Sequence, residues 1–167
     1  MELVRIAQAG PPLEEVRALF LEYARDLGFS LCFQGFDQEL AQLPGHYAPP
    51  RGALLLVPGK GCVALRPLEN ATAEMKRLYL RPAFRGQGLG RALAQAAIDE
   101  ARALGYSRLV LDTIAGTMDK AIAMYRALGF REIAPYYQNP IPGAVYLALQ
   151  LPGMQFPELQ IPEPQPR

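Results

Sequence analysis

Hydrophobic positions along the 167-residue chain follow two rhythms, one of period two and one of three to four. Residues 2–8 (Glu-Leu-Val-Arg-Ile-Ala-Gln) predict a first strand, ended by Gly10-Pro11. Pro12, Leu13, Val16, Phe20, Tyr23, Ala24 and Leu27 then recur at helical steps. They predict an amphipathic helix with proline near its first turn and Gly28 at its end. Residues 36–43 predict a short second helix and 44–52 a loop. The runs 53–57 and 62–66 flank Pro58-Gly59-Lys60-Gly61, which predicts two strands joined by a tight turn. Past the polar break at Glu69-Asn70 a strand is expected over 75–80. Leu89, Leu93, Ala96, Ala97 and Leu104 mark a long helix stopped by Gly105, and 108–112 a short strand. Met118, Ile122, Tyr125 and Leu128 mark another helix, capped by Gly129. Residues 130–134 and 145–150 are the last strands, joined by a Tyr-, Asn- and Pro-rich connection.

The resulting order, βααβββαβαββ, is an α/β fold (α+β in some schemes). Its strand–helix–strand unit at 75–112 requires strands 75–80 and 108–112 to lie parallel and adjacent. From Pro152 onward there are five prolines in sixteen residues and no apolar period. We therefore expect residues 1–151 to form one domain and 152–167 an extended, poorly ordered or partner-docked tail.

Composition narrows the function. Apolar residues make up 50% and charged residues 20%, enough for one sizeable core and unlike a disordered chain. Seventeen Lys and Arg against sixteen Asp and Glu leave a net charge of +1. That balance steers the whole molecule toward neither nucleic acid nor an anionic membrane, so any anion site must be local. Cys32 and Cys62 form neither a disulfide framework nor a zinc site by themselves, and two reduced thiols in or near a core are expected. The N-terminus lacks a secretory apolar stretch, and the run 53–57 is too short to span a bilayer. A soluble, cytoplasmic protein is expected.

The chemistry is concentrated in Met75-Lys-Arg-Leu-Tyr-Leu-Arg-Pro-Ala-Phe-Arg-Gly-Gln-Gly-Leu-Gly-Arg91, a strand running through a Gly-rich turn into a helix. Three glycines in five residues leave main-chain N–H groups uncovered. A helix N-terminus adds about half a positive charge and four unpaired donors. The combination cradles a phosphate or pyrophosphate, with Arg85 and Arg91 at its lip. The dinucleotide pattern G-x-G-x-x-G fails because Arg91 stands three residues after Gly88, and the Walker pattern fails because Gly61 follows Gly59-Lys60. A capped helix with no ligand is the plainer alternative.

Arg85-Gly86-Gln87-Gly88-Leu89-Gly90 resembles the R/Q-x-x-G-x-G/A signature of the GNAT superfamily of acyl-CoA-dependent N-acetyltransferases. Four further stretches are similar to that family: Leu78-Tyr-Leu-Arg-Pro82, Leu109-Val-Leu-Asp-Thr113, the helix end Ala121-Ile-Ala-Met-Tyr125-Arg-Ala-Leu-Gly129-Phe130, and the closing hairpin 136–150. The likeness covers about 71–150; the first seventy residues match mainly in element order.

The resemblance implies a central, mostly antiparallel sheet with a parallel, splayed junction between the fourth and fifth strands and helices on both faces. It implies an enzyme that binds acetyl-CoA and needs no metal. The pyrophosphate would lie on Arg85, Gly86, Gln87, Gly88, Leu89, Gly90 and Arg91. The pantetheine arm would pair with Leu78, Tyr79 and Leu80, with Thr113 a further contact. Tyr125 would protonate the departing thiolate, a role its ordinary pKa of about 10 permits. Glu74, eleven residues before Arg85, would be the base, directly or through water. Met118 stands where members often carry Asn, which removes one side-chain contact to the coenzyme. His46, Tyr47 and Arg51, on the loop after the second helix, are candidate acceptor contacts. Tyr136, Tyr137 and Asn139 would close the pocket from the other side, and Arg66 and Arg77 would face an acidic group on the acceptor. The expected partner is a small-molecule amine, with a homodimer possible; a protein acetyltransferase and a non-catalytic acyl-CoA-binding module are the alternatives.

Overall fold

The computed structural model describes residues 1–152. Within them the chain runs β1 (Val4–Arg5), α1 (Pro11–Asp26), α2 (Phe36–Gln42), β2 (Ala53–Val57), β3 (Gly61–Pro67), β4 (Thr72–Leu80), α3 (Leu89–Ala103), β5 (Arg108–Ile114), α4 (Asp119–Ala127), β6 (Arg131–Ile133) and β7 (Ala144–Gln150). This is the order that the hydrophobic pattern predicts. Apart from Pro152, the expected tail lies outside the described residues.

The strands form one sheet in the order β1-β2-β3-β4-β5-β7-β6. Every neighbouring pair is antiparallel except β4 and β5. β2 and β3 are buried on both faces, which is why 53–57 reads as an unbroken apolar run. Leu54 and Leu56 pack with Leu13, Val16, Leu19 and Phe20 of α1. Ala53, Leu55 and Val57 point the other way, onto Leu93, Ala94, Ala97 and Ile98 of α3. Each fully buried Leu or Phe of these layers contributes about 1.5–3 kcal/mol. Helices thus cover both faces, α1 and α2 on one and α3 and α4 on the other.

Three expectations change. β1 is shorter than 2–8, because its one sheet neighbour is β2 and only Val4 and Arg5 pair with it before the chain bends toward Pro11. β4 starts earlier, at Thr72, once Asn70 and Ala71 have turned the chain with left-handed φ values of 57° and 54°. Cys62 is buried, whereas Cys32 is exposed in a single helical turn before α2. Among the described residues no helix is long and apolar enough to cross a membrane.

Candidate active site

The parallel ladder between β4 and β5 is short. Thr72, Ala73 and Glu74 pair with Arg108, Leu109 and Val110, and pairing then stops. From Met75 to Leu80 the edge of β4 that faces β5 is free. A strand edge without a neighbour presents main-chain donors and acceptors to whatever lies alongside. On its other edge β4 pairs with β3, but with a slip: Cys62 faces Tyr79 and Ala64 faces Lys76, so Arg77 and Leu78 share the place opposite Val63. Arg77 takes a left-handed φ of 59° there. This β-bulge reverses the alternation of the strand. Before it Ala73 and Met75 face α3; after it Leu78 and Leu80 do, and Tyr79 faces α1.

At the end of β4 the chain enters the Gly-rich turn. Gly86 and Gly88 have φ values of 77° and 81°, a region that side-chain-bearing residues avoid. The first bond of α3 runs from Ala92 N–H to the Gly88 carbonyl. The six main-chain N–H groups of residues 86–91 donate to no protein acceptor among the described residues. Arg91 is exposed with no carboxylate within salt-bridge distance there. Arg85 turns back: its Nε donates to the Leu80 carbonyl at 2.9 Å, and its guanidinium stands over the Tyr79 ring, 3.5 Å from Asp26.

A cavity of about 620 Å³ extends from Arg85 through the gap between the strands to Asn139. Leu78, Tyr79, Leu80, Thr113 and Tyr125 line it. The Tyr125 ring is buried against Phe130, and burial pushes its hydroxyl well above the ordinary phenol range. That hydroxyl makes no hydrogen bond to the described protein and is not sealed from the cavity. The opposite wall comes from the end of α1 and the connection to α2: Tyr23, Leu27, Phe29, Leu31, Phe33 and Gln34. Lys76 of β4 and Asp112 of β5 enter between the walls.

Behind the cavity lies Glu74, 0% exposed. Its Oε1 is 2.6 Å from Arg66 Nε and 3.9 Å from Lys76 Nζ, and its Oε2 accepts from the Tyr136 hydroxyl at 2.5 Å. Burial, and then the Glu74 charge, push the Tyr136 hydroxyl strongly upward, so it stays protonated and donates. Burial lowers the Lys76 pKa, and Glu74 opposes that shift. Glu74 is thus closed to solvent, clamped by two cations and not part of the cavity lining, which its neighbours Met75 and Lys76 join.

Residues 33–130 match the Acetyltransferase (GNAT) family. An uncharacterized N-acetyltransferase of Schizosaccharomyces pombe is 41% identical over 145 residues, covering 83% of this chain and 88% of the relative. The chain belongs to the GNAT acetyltransferase family. It is accordingly an N-acetyltransferase. A second relative, an N-acetylaspartate synthetase of Danio rerio, is 30% identical over 127 residues, 72% of this chain and 45% of that one. The fold is also that of a Bacillus subtilis acetyltransferase solved in complex with CoA, with TM-score 0.61, 19% identity, and coverage of 90% and 99%.

Within this GNAT fold the residues expected on the acceptor side separate. Tyr47 is a core residue, edge-on to Phe20 at 6.0 Å and donating to Glu39 at 2.8 Å. His46 is exposed beside a smaller polar cavity of about 180 Å³, which Glu39 and Arg66 also line. Arg51 is exposed, and its carbonyl accepts from Tyr106. None of the three lines the large cavity, because their loop packs onto β3 while the α1–α2 connection takes the place beside the gap. Tyr137 and Asn139 both donate to Asp112, and Asn139 reaches the cavity. Arg77 is spent on Glu39, with contacts of 2.9 and 3.1 Å, and is stacked over Tyr23 and Phe36. At the start of α4 Met118 lines the cavity and accepts from Thr113 Oγ1 at 3.2 Å.

Proposed function

We propose that this GNAT enzyme moves the acetyl group of acetyl-CoA to the primary amine of a small molecule by direct attack within a ternary complex. The observation that carries this reading is the continuity of the cavity. It runs from Arg85, next to the bare amides of the Gly-rich turn, along the free edge of β4 and past Tyr125 to a separate wall beyond Asp112. A volume of about 620 Å³ falls in the range of small-molecule sites. The Danio rerio relative, named for a small acetylated amino acid, supports an acceptor of that size.

In this reading residues 86–91 hold the coenzyme pyrophosphate through main-chain N–H groups and the N-terminal field of α3. Leu78, Tyr79 and Leu80 present their free edge to the amide-bearing arm. Acetyl-CoA supplies an activated acyl group as a thioester. A bulge amide near Leu78 faces the carbonyl oxygen and stabilises the charge that grows there. The acceptor ammonium loses one proton to water in the cleft, and its lone pair forms the new C–N bond. As the C–S bond breaks, Tyr125 donates its proton to sulfur and is reprotonated by the nitrogen's second proton. The balance is ammonium plus thioester giving amide, thiol and one released proton. Glu74 contributes by fixing Lys76 and Tyr136 in the wall.

The test is purified protein with acetyl-CoA and a panel of small amines and peptides, following thiol release and the mass of the product. Acetylated small amines are expected. Transfer confined to peptides overturns the small-molecule assignment; acetyl-CoA binding with no thiol release on any acceptor overturns the catalytic one.

A further inference from the structure

β4 and β5 each carry a carboxylate beside the gap, and two consecutive tyrosines reach across from the β6–β7 connection to hold them. Tyr136 donates to Glu74 and Tyr137 to Asp112. The parallel is only partial. Glu74 is sealed and paired with Arg66 and Lys76. Asp112, two residues past the last position of β5 that pairs with β4, is half-buried, lines the cavity and has no Lys, Arg or His within salt-bridge distance among the described residues. Both of its donors, the Tyr137 hydroxyl and Asn139 Nδ2 at 2.9 Å, fall on Oδ2. Oδ1 accepts from no described group.

The surroundings hold that oxygen in place. Tyr137's hydroxyl also accepts from Gln34 Nε2 at 3.0 Å, and its carbonyl accepts from the Tyr146 hydroxyl at 2.7 Å. The same Tyr146 oxygen accepts from the Asn139 amide at 2.9 Å. Nearby cations are already engaged: Arg77 with Glu39, and Lys76 with Gln34 at 3.2 Å and with Glu74. Facing Asp112 across the cavity are Tyr23, Leu27, Phe29 and Phe33, which offer apolar surface. A partly desolvated carboxylate with an open lone pair, beside an apolar wall and short of a cation, fits a ligand that brings both a positive charge and an apolar body.

We infer that Asp112 seats the ammonium group of the acceptor, that Tyr137 and Asn139 position it, and that the acceptor class is a primary ammonium joined to an aromatic or aliphatic body. This rests on the acetyl-transfer reading above. A carboxylate is a far weaker base than an amine and holds its ammonium without taking the proton, so the role is capture and aim.

The test compares 2-phenylethylamine with its uncharged counterpart 2-phenylethanol, by calorimetry on protein saturated with CoA. Wild-type protein is expected to favour the ammonium about tenfold or more, as a hydrogen bond to a charged group allows. Asp112→Asn, which keeps an acceptor for Tyr137 and Asn139, is expected to bring the two affinities together while acetyl-CoA binding stays within about twofold. Tyr137→Phe leaves the charge but loosens it, and decides the matter if Asp112→Asn fails to fold; an intermediate loss for the amine alone is expected, seen in turnover as a rise in acceptor KM at constant kcat. No preference in wild type, or a preference that survives in Asp112→Asn, overturns the inference. So does an equal loss for amine and alcohol in either variant. Because the readout is binding, a failure of turnover on every acceptor strikes the proposed function and leaves this result readable.

Discussion

Glu74→Gln removes a charge from the wall of the cleft and almost none of its volume. Three partners depend on that charge: Arg66 Nε at 2.6 Å, Lys76 Nζ at 3.9 Å and the Tyr136 hydroxyl at 2.5 Å. Tyr136 keeps an acceptor in the amide. Arg66, with 35% of its side chain exposed, can turn to water. Lys76, at 4%, cannot. Breaking a buried pair by deleting one partner costs about 3–5 kcal/mol, and with two partners accommodated we expect about 3 kcal/mol. At about 2–4 °C per kcal/mol for a chain of this size, the melting temperature falls by about 6–12 °C.

The pH dependence follows from Lys76. Burial already holds its folded pKa below the model-compound 10.5. Between the folded and unfolded values the unfolded chain binds the extra proton, so stability rises with pH and is lowest where both states are protonated. Loss of Glu74 pushes the folded value lower still, so the deficit of the variant should shrink as the pH rises toward the unfolded lysine value. Adding Lys76→Met removes the stranded charge and should recover at least about half of the loss. Urea titrations of the four proteins measure this. A Glu74→Gln variant within about 1 kcal/mol of wild type at pH 7, or strictly additive losses, refutes the reasoning.

Tyr125→Phe removes a hydroxyl with no protein partner, so the melting temperature should hold within about 1 °C while kcat falls about 10²–10³-fold; a fall under about threefold removes the acid role. Because burial raises the Tyr125 pKa, its titration should impose no alkaline limb on kcat near pH 10. Gly88→Glu places a side chain at φ 81° and a carboxylate in the cradle; it should cost about 1–2 kcal/mol of stability and more than about 100-fold in CoA affinity by calorimetry. A Cβ on Gly61 would lie 2.3 Å from the Tyr79 carbonyl oxygen, so Gly61→Ala must part β3 from β4 just before the cradle and lose more than about 2 kcal/mol in urea unfolding.

What the sequence makes legible is what neighbours in sequence determine. The unbroken apolar run 53–57, the three-and-four spacing of α1 and the glycines at 86, 88 and 90 each act within one or two turns of chain. The bulge has no such signal, since Arg77 is not a residue type that favours a left-handed φ. Acceptor contacts were expected at 46–51, whereas the large cavity is lined by residues of 23–34, because the connection beside the gap is chosen by sheet order and not by local pattern. Asp112 was hidden differently. A lone carboxylate in the apolar run 109–114 was the available clue, but its surroundings come from Tyr137 and Asn139, more than twenty residues away.

The bulge and the gap answer one mechanical problem. For an acyl donor to lie along β4, the strand must give up its ladder to β5 beyond Glu74, and the bulge interrupts its ladder to β3 as well. A strand so stripped of main-chain partners should fray. Side chains of the strand and of the residue after it replace what the backbone lost: Arg77 to Glu39 of α2, Tyr79 to Asp26 at 2.7 Å and, just past β4, Arg81 to Glu22 at 3.1 Å, the last two acceptors both of α1. The reversal at Arg77 is what brings this about, because it turns Arg77 and then Tyr79 toward α1 and α2. The free edge of β4 and the helices beside the cavity are therefore tied together, and under the proposed function the spacing between donor and acceptor is set by these side-chain contacts from residues 77–81 to the first two helices.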